Sequence, residues 1–414
     1  MLGEASASEA VARLLSPEAV RERAHELLAC GLDGKLEHWR IDLDRLPGVA
    51  DYVVAVTRGA YPTLQVPFHS RWRHLSVGGR DRWGSLLRDA HWANAAERAR
   101  AAFDLAITSV LLDAGAGMAW RYMEPASGDV FSKSEGLAVA SYDMFVAGLF
   151  SSSPWDKLRA DADGLRAVST TTLSAGFQAG PDNPLVGLDG RAALLRRLGD
   201  VVAARPDAFA RQDDARPGGL FDVLDSEATN GTVSARMILV VLLEHLGAIW
   251  PGRESLHSTN LGDCWRHPGI IRQDATNGLI PFHKLSQWLA YSLIEPLEDA
   301  GLRVVDVDAL TGLPEYRNGG LFFDTETITL RDPDAARRTH QAGDALVVEW
   351  RALTVALLDR LAPLVRDRLG LSTEAFPLAK VLEGGTWAAG RRLARERRPD
   401  GGSPLSVQSD GTVF

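Results

Sequence analysis

The stretch LIPFHKLSQWLAYSLIEPLEDAG at residues 279–301, continued by LRVVDVDALTGLPEYRNGGLFFD at residues 302–324, decides how this chain is read. From Phe282 to about Ala300 the apolar side chains Leu285, Trp288, Leu289 and Leu293 recur at helical spacing, and Gly301 stops the pattern. His283, Lys284 and Gln287 fall within one turn of each other at the start of this helix. Backbone N–H groups and the helix dipole favour an anion there. The apolar run at residues 302–307 reads as a strand. It leads into TGLPEYRNGG at residues 311–320, a loop dense in turn formers and ionisable groups. With Gly319 and Gly320 behind Glu315, Tyr316, Arg317 and Asn318, backbone can come close to a ligand.

Working outward, helices dominate. Pro17 in a first turn and Gly31 as a stop mark a helix over about 17–30, and Pro47 opens another that runs to Arg58. An alanine-rich pattern with Phe103, Ile107, Val110 and Leu111 predicts a helix over about 86–113. Further helices are expected over about 133–150, 191–204, 232–250, 345–369 and 386–397. Strand signals are few: residues 302–307, and a hairpin pairing 320–323 with 327–330. No repeat and no Pro/Gly/Ser-rich linker divides the chain. The fold class is therefore mainly α, a multi-helical body over residues 1–414 that is one domain or two intimate lobes.

Composition narrows the function. At 414 residues, 45% hydrophobic and 24% charged, the chain has the balance of an ordinary globular protein. A net charge of −9 argues against nucleic acid and anionic membranes, which are met by basic faces. The greasiest run, MILVVLLEHLGAIW at 237–250, is too short to span a bilayer and includes Glu244 and His245. Cys30 and Cys264 form no metal-type spacing or disulfide framework and read as reduced thiols, which points to the cytoplasm. The words HExxH, GxSxG and Walker A are absent, so no metal or cofactor is expected. Asp113-Ala114-Gly115-Ala116-Gly117 is no dinucleotide loop, because a helix precedes it where that fingerprint needs a strand.

The chemistry must then come from scattered side chains. In His69-Ser70-Arg71-Trp72-Arg73-His74, alternating cations suit a phosphate or a sugar hydroxyl, or else pin a surface loop by ion pairs and tryptophan packing. Glu135 follows a capping serine, so it either complements a helix dipole or aims a carboxylate into a pocket. His283 and Lys284 are anion binders or proton donors, or plain helix residues. Glu315 and Arg317 either face a ligand or pair with each other across a turn.

These words together resemble a family. VPFHSRWRH at 66–74, GGRDRW at 78–83, SEGLAVAS at 134–141, IPFHKLSQWLAYSLIEPLE at 280–298, TGLPEYRNGGLFFD at 311–324, GGTWAAGR at 384–391 and SDGTVF at 409–414 resemble the uracil-catabolism protein family of fungi and bacteria. A fainter similarity links the chain to queuosine nucleotide glycosidases, helical relatives of DNA glycosylases. It rests on Asn260-Leu261-Gly262-Asp263-Cys264-Trp265 and on residues 282–287, where Phe282 and Lys284 replace that family's aspartate and arginine.

The resemblance implies a DNA-glycosylase-like helical body and a place in a route through a ribosylurea-type intermediate. The expected partner is a small ribosylated substrate, free or phosphorylated. The expected reaction is N-ribosyl hydrolysis releasing urea, in which a carboxylate stabilises an oxocarbenium-like sugar and an acid protonates the leaving nitrogen. Glu315 or Asp263 is the expected carboxylate, with Glu135 in reserve, and Lys284 and His283 are the expected acids or phosphate contacts. His69, Arg71, Arg73, Gln287, Arg317 and Asn318 are the expected substrate contacts. The alternative is a non-catalytic binder or channelling protein for a uracil-derived metabolite.

Overall fold

The computed structural model describes residues 2–113, 115–211 and 214–408. The word SDGTVF lies outside them. Helices carry the architecture, and the strands occur in pairs of two or three residues. The longest helix, Ala345–Leu369, runs 25 residues and packs against Pro17–Leu32 and Leu46–Ala60. The helix Lys284–Asp299 packs against Ala95–Leu111 on one side and Ala235–Leu246 on the other. Tyr316–Asp324 lies along Trp387–Arg397. One hydrophobic cluster extends through these elements from Val20 to Leu405.

Local chemistry fixes the ends of these helices. Ser16 accepts from Ala19 N at 3.2 Å with Pro17 at the first position, and Asn94 accepts from Glu97 N at 2.9 Å. Each satisfies a donor that the helix leaves without a partner. The Lys284 helix buries Leu285, Trp288, Leu289, Tyr291, Leu293, Ile294 and Leu297. At about 1.5–3 kcal/mol for a large apolar side chain, that face dominates its stability.

Pro296 stands inside this helix and cannot donate to the carbonyl of Ser292. The Trp72 indole donates to that carbonyl instead, at 2.7 Å, and Ser292 Oγ accepts from Arg71 N at 2.9 Å. Thus the missing helix bond becomes an anchor for the short helix Arg71–Leu75, in a segment that reads as a loop in sequence.

The structure bears out the mainly helical class and the strand after Gly301. Arg303–Val305 pairs in parallel with Thr232–Ser234. It corrects the expected hairpin. Residues 320–323 belong to the helix Tyr316–Asp324, and the second segment, Ile328–Leu330, pairs antiparallel with Trp39–Ile41. The reason is packing: a Cβ on Gly319 would lie 2.8 Å from the Trp350 ring, so the glycine lets this helix close onto Ala345–Leu369. The expected helix over 86–113 is two helices, Arg82–Asp89 and Ala95–Leu111, separated where Asn94 caps the second. Among the described residues, no helix is long and apolar enough to cross a membrane. Both cysteines are free thiols.

Candidate active site

Three helices begin at one cavity of about 320 Å³. Lys133 and Ser134 open Lys133–Ala147, Lys284 and Leu285 open Lys284–Asp299, and Glu315 caps Tyr316–Asp324; all five residues line the space. Trp288, Trp387 and Tyr316 supply aromatic wall, and His69, His74, Asp113 and Arg317 complete the polar lining. The cavity thus combines two carboxylates, three cations and two imidazoles with flat aromatic surface.

The start of the Lys284 helix is set from behind. Asp263 accepts from Arg351 at 2.8 and 2.7 Å, from the Trp265 indole at 2.7 Å and from Lys284 N at 3.0 Å, while its carbonyl accepts from Phe282 N at 2.8 Å. Burial alone would raise this carboxyl, but Arg351 outweighs it and holds Asp263 well below the usual carboxylate range. Arg351 also lies over the Phe282 ring, 4.2 Å from its centroid.

Inside the cavity, burial acts in the opposite sense on the two ions expected to do chemistry. Glu315 is pushed above its ordinary value by burial, against Arg317 N and Asn318 N, which donate to it at 2.7 and 2.6 Å. Lys284 is lowered, first by burial and then by Arg351. Lys133 is lowered by burial and by the nearby Arg317. His74 falls to about 3, through burial and then Arg71. Arg71 Nη1 lies 3.4 Å from His74 Nδ1 and can only donate, so the neutral ring carries its proton on Nε2.

Of the residues singled out in sequence, Glu315, Lys284, His69 and Arg317 line the cavity together. The others stand behind or beside it. Asp263 has both oxygens on Arg351, outside the lining, so it positions the helix start rather than facing the cavity. His283 is buried at φ +49° with Nε2 on the Leu14 carbonyl at 2.9 Å. Glu135 pairs with Arg391 at 3.0 Å and ties two helices at the rim. Arg71 pairs with Asp113 at 2.9 Å and holds that carboxylate at the wall, and Arg73 pairs with Glu295 at 2.5 Å. Gln287 bridges to Thr311, accepting from its N–H at 3.0 Å, and Asn318 Nδ2 donates to the Leu313 carbonyl at 3.2 Å.

Sequence reasoning missed Asp113, His74, Lys133 and Trp387 as cavity residues. Asp113 directly follows an apolar helical run and reads there as a helix terminus. Trp387 had a signal in the word GGTW, which brings a bulky ring after two glycines that allow close packing.

This arrangement defines a mainly helical protein with an aromatic-walled cavity lined by carboxylates, cations and imidazoles. The chain belongs to the family whose model is described as "Protein of unknown function (DUF1688)", which matches residues 13–414. It is 39% identical to "Protein urg3" of Schizosaccharomyces pombe (strain 972), over 98% of this chain and 100% of that protein. It is 38% identical to "Uracil catabolism protein 4" of Lachancea kluyveri, over 92% of this chain and 93% of that protein.

Proposed function

We propose that this chain acts in uracil catabolism as an N-ribosyl hydrolase that cleaves ribosylurea, or its 5′-phosphate, into urea and ribose or ribose phosphate. The observation that carries the reading is the meeting of Glu315 and Lys284 in one aromatic-walled cavity, each displaced by burial toward its neutral form. A lysine brought closer to neutrality gives up its proton more readily at working pH, and a carboxylate shut away from water acts more strongly on a developing positive charge. The name of the Lachancea kluyveri relative supports the pathway.

In the reaction, the bond from the anomeric carbon to the urea nitrogen breaks and its electron pair leaves with nitrogen. The Lys284 ammonium gives that nitrogen its proton. Glu315, with Asp113 on the Arg71 side, stabilises the positive charge on the sugar, and a water oxygen bonds to the anomeric carbon as one of its O–H bonds breaks and the proton passes to a base of the cavity. Lys133, Arg317 and the starts of three helices form a cationic wall suited to the phosphate of the phosphorylated substrate. A second reading, binding without turnover, is favoured by one observation: both Glu315 oxygens already accept backbone N–H groups, as a purely capping residue would have them.

The test is urea release by the purified chain from each substrate, compared with Glu315→Gln and Lys284→Ala. Loss of turnover in both variants with retained folding supports the hydrolase. Full turnover in both sinks the assignment.

A further inference from the structure

Behind the cavity wall, residues Leu382–Thr386 form a π-helical turn between Leu378–Val381 and Trp387–Arg397. Such turns are rare and recur at functional sites. Two glycines permit this one. A Cβ on Gly385 would lie 2.4 Å from Val53 Cγ1 and 2.7 Å from Thr57 Oγ1, and one on Gly384 would lie 3.1 Å from Thr57 Cγ2 and from Val66 Cγ1. The turn is therefore pressed against Leu46–Ala60, with Glu383 within it and Trp387 directly after it, and both meet His69.

Glu383 does not line the cavity, yet His69 does. Glu383 Oε2 lies 2.8 Å from His69 Nδ1, and the Tyr61 hydroxyl donates to Oε1 at 3.4 Å. The His69 ring is further held between Trp288 and Trp387, with centroids 6.4 and 6.2 Å away, and its backbone N–H donates to the Ala379 carbonyl at 3.0 Å. Burial works to raise the Glu383 carboxyl, but the bond from His69 and the positive charge of His69, His74 and Arg73 together outweigh it and hold Glu383 below its ordinary value. With Nδ1–H spent on that carboxylate, Nε2 is the nitrogen left for the cavity. Carboxylate–imidazole pairs orient a base and stabilise its protonated form in this way.

We infer that His69 is the cavity's proton acceptor and Glu383 its positioning residue, so that the pair takes the proton from the attacking water. The inference rests on the hydrolytic reading above and completes its proton balance. As the water oxygen bonds to the anomeric carbon, the water proton passes to His69 Nε2; Lys284 supplies a proton to urea; His69 then returns its proton to solvent and Lys284 regains one. His74 cannot serve, since its Nδ1 accepts from Arg71 and its ring resists protonation.

The charged and titratable groups around His69 are Glu383 and, through it, Tyr61 on the Nδ1 side, Arg71, Arg73 and His74 on its own segment, and Asp113, Lys133, Lys284, Glu315 and Arg317 in the lining of the same cavity.

The experiment measures urea release at pH 5–8, the range in which imidazole titrates, for the wild-type chain, Glu383→Gln, Glu383→Asp and His69→Gln. Thermal unfolding checks that each variant is folded, and nitrogen-15 NMR reads the His69 tautomer. Glu383→Gln is expected to lower kcat by roughly 10²-fold, the lower end of general-base contributions, with KM little changed. Glu383→Asp should restore part of the rate. Neutral wild-type His69 should carry its proton on Nδ1, and the Glu383→Gln variant should lose that preference. Wild-type urea release with unchanged kcat in folded Glu383→Gln and His69→Gln would overturn the inference while leaving the hydrolase intact. No release by wild type from either substrate would overturn both.

Discussion

Replacing Asp263 with alanine is expected to cost about 3–5 kcal/mol of folding stability, the range for removing one partner of a buried ion pair. The side chain of Arg351 is 1% exposed and that of Asp263 11%, and two charge-assisted bonds of 2.8 and 2.7 Å join them. Alanine leaves the guanidinium buried without its carboxylate. It also removes the acceptor of Lys284 N and of the Trp265 indole, each a half-buried donor whose loss of a partner costs about 1 kcal/mol, the low end of the range for a buried one. Against a typical total of about 5–15 kcal/mol, the variant would lose a large share of its stability.

Urea denaturation followed by circular dichroism measures the change. The double variant Asp263→Leu with Arg351→Met should regain part of the loss, because a buried pair replaced as a unit leaves no lone charge. Recovery stays incomplete, since Lys284 N and Trp265 still lack their acceptor. The pH dependence has a definite sign. The Asp263 carboxyl sits well below its ordinary 3.8, so the unfolded chain binds the proton first. The stabilisation is complete above that ordinary value and is lost as pH falls below about 4. A loss under about 1 kcal/mol for Asp263→Ala would refute the structural role given to this pair.

His74, held to about 3 by burial and Arg71, should show no nitrogen-15 titration between pH 5 and 8; a midpoint in that window would contradict its assignment as a neutral ring. Because the unfolded chain takes up that proton first, this histidine should make stability fall as pH drops below about 6.5. Gly385→Ala, which drives a Cβ to 2.4 Å from Val53 Cγ1, should destabilise by about 1–3 kcal/mol in thermal or chemical unfolding, and a neutral result would mean that the π-helical turn is not pressed on its neighbour. Trp387→Ala removes a cavity wall, so calorimetry should show weaker binding of ribosylurea with little loss of secondary structure; unchanged affinity would place the ligand elsewhere.

Much of the helical frame is legible in the sequence because periodicity and caps agree. Ala345–Leu369 and Lys284–Asp299 follow directly from apolar spacing, and Pro17 and Gly301 mark ends that the structure keeps. The glycine-rich run at 319–320 misleads, since glycines that look like a turn serve here to bring a helix against Trp350. The site is only partly legible, for a different reason. Lys284, Glu315, His69 and Arg317 stand out as polar groups in turn-like or helix-start settings. Asp113 and Trp387 lie hundreds of residues apart, and only the packing of their helices brings them to one wall. Asp263 and Arg351 show the converse: a carboxylate attractive in sequence is consumed by a cation 88 positions away that sits in an ordinary-looking helix.

Cleavage of an N-ribosyl bond in this cavity is tested by product analysis under multiple turnover, with the purified chain and an excess of ribosylurea or ribosylurea 5′-phosphate. Urea and ribose, or ribose phosphate, released in equal amounts and beyond one equivalent of protein are the expected result. Tight binding of either compound, with its C–N bond intact after prolonged incubation, would contradict the claim and establish a binder.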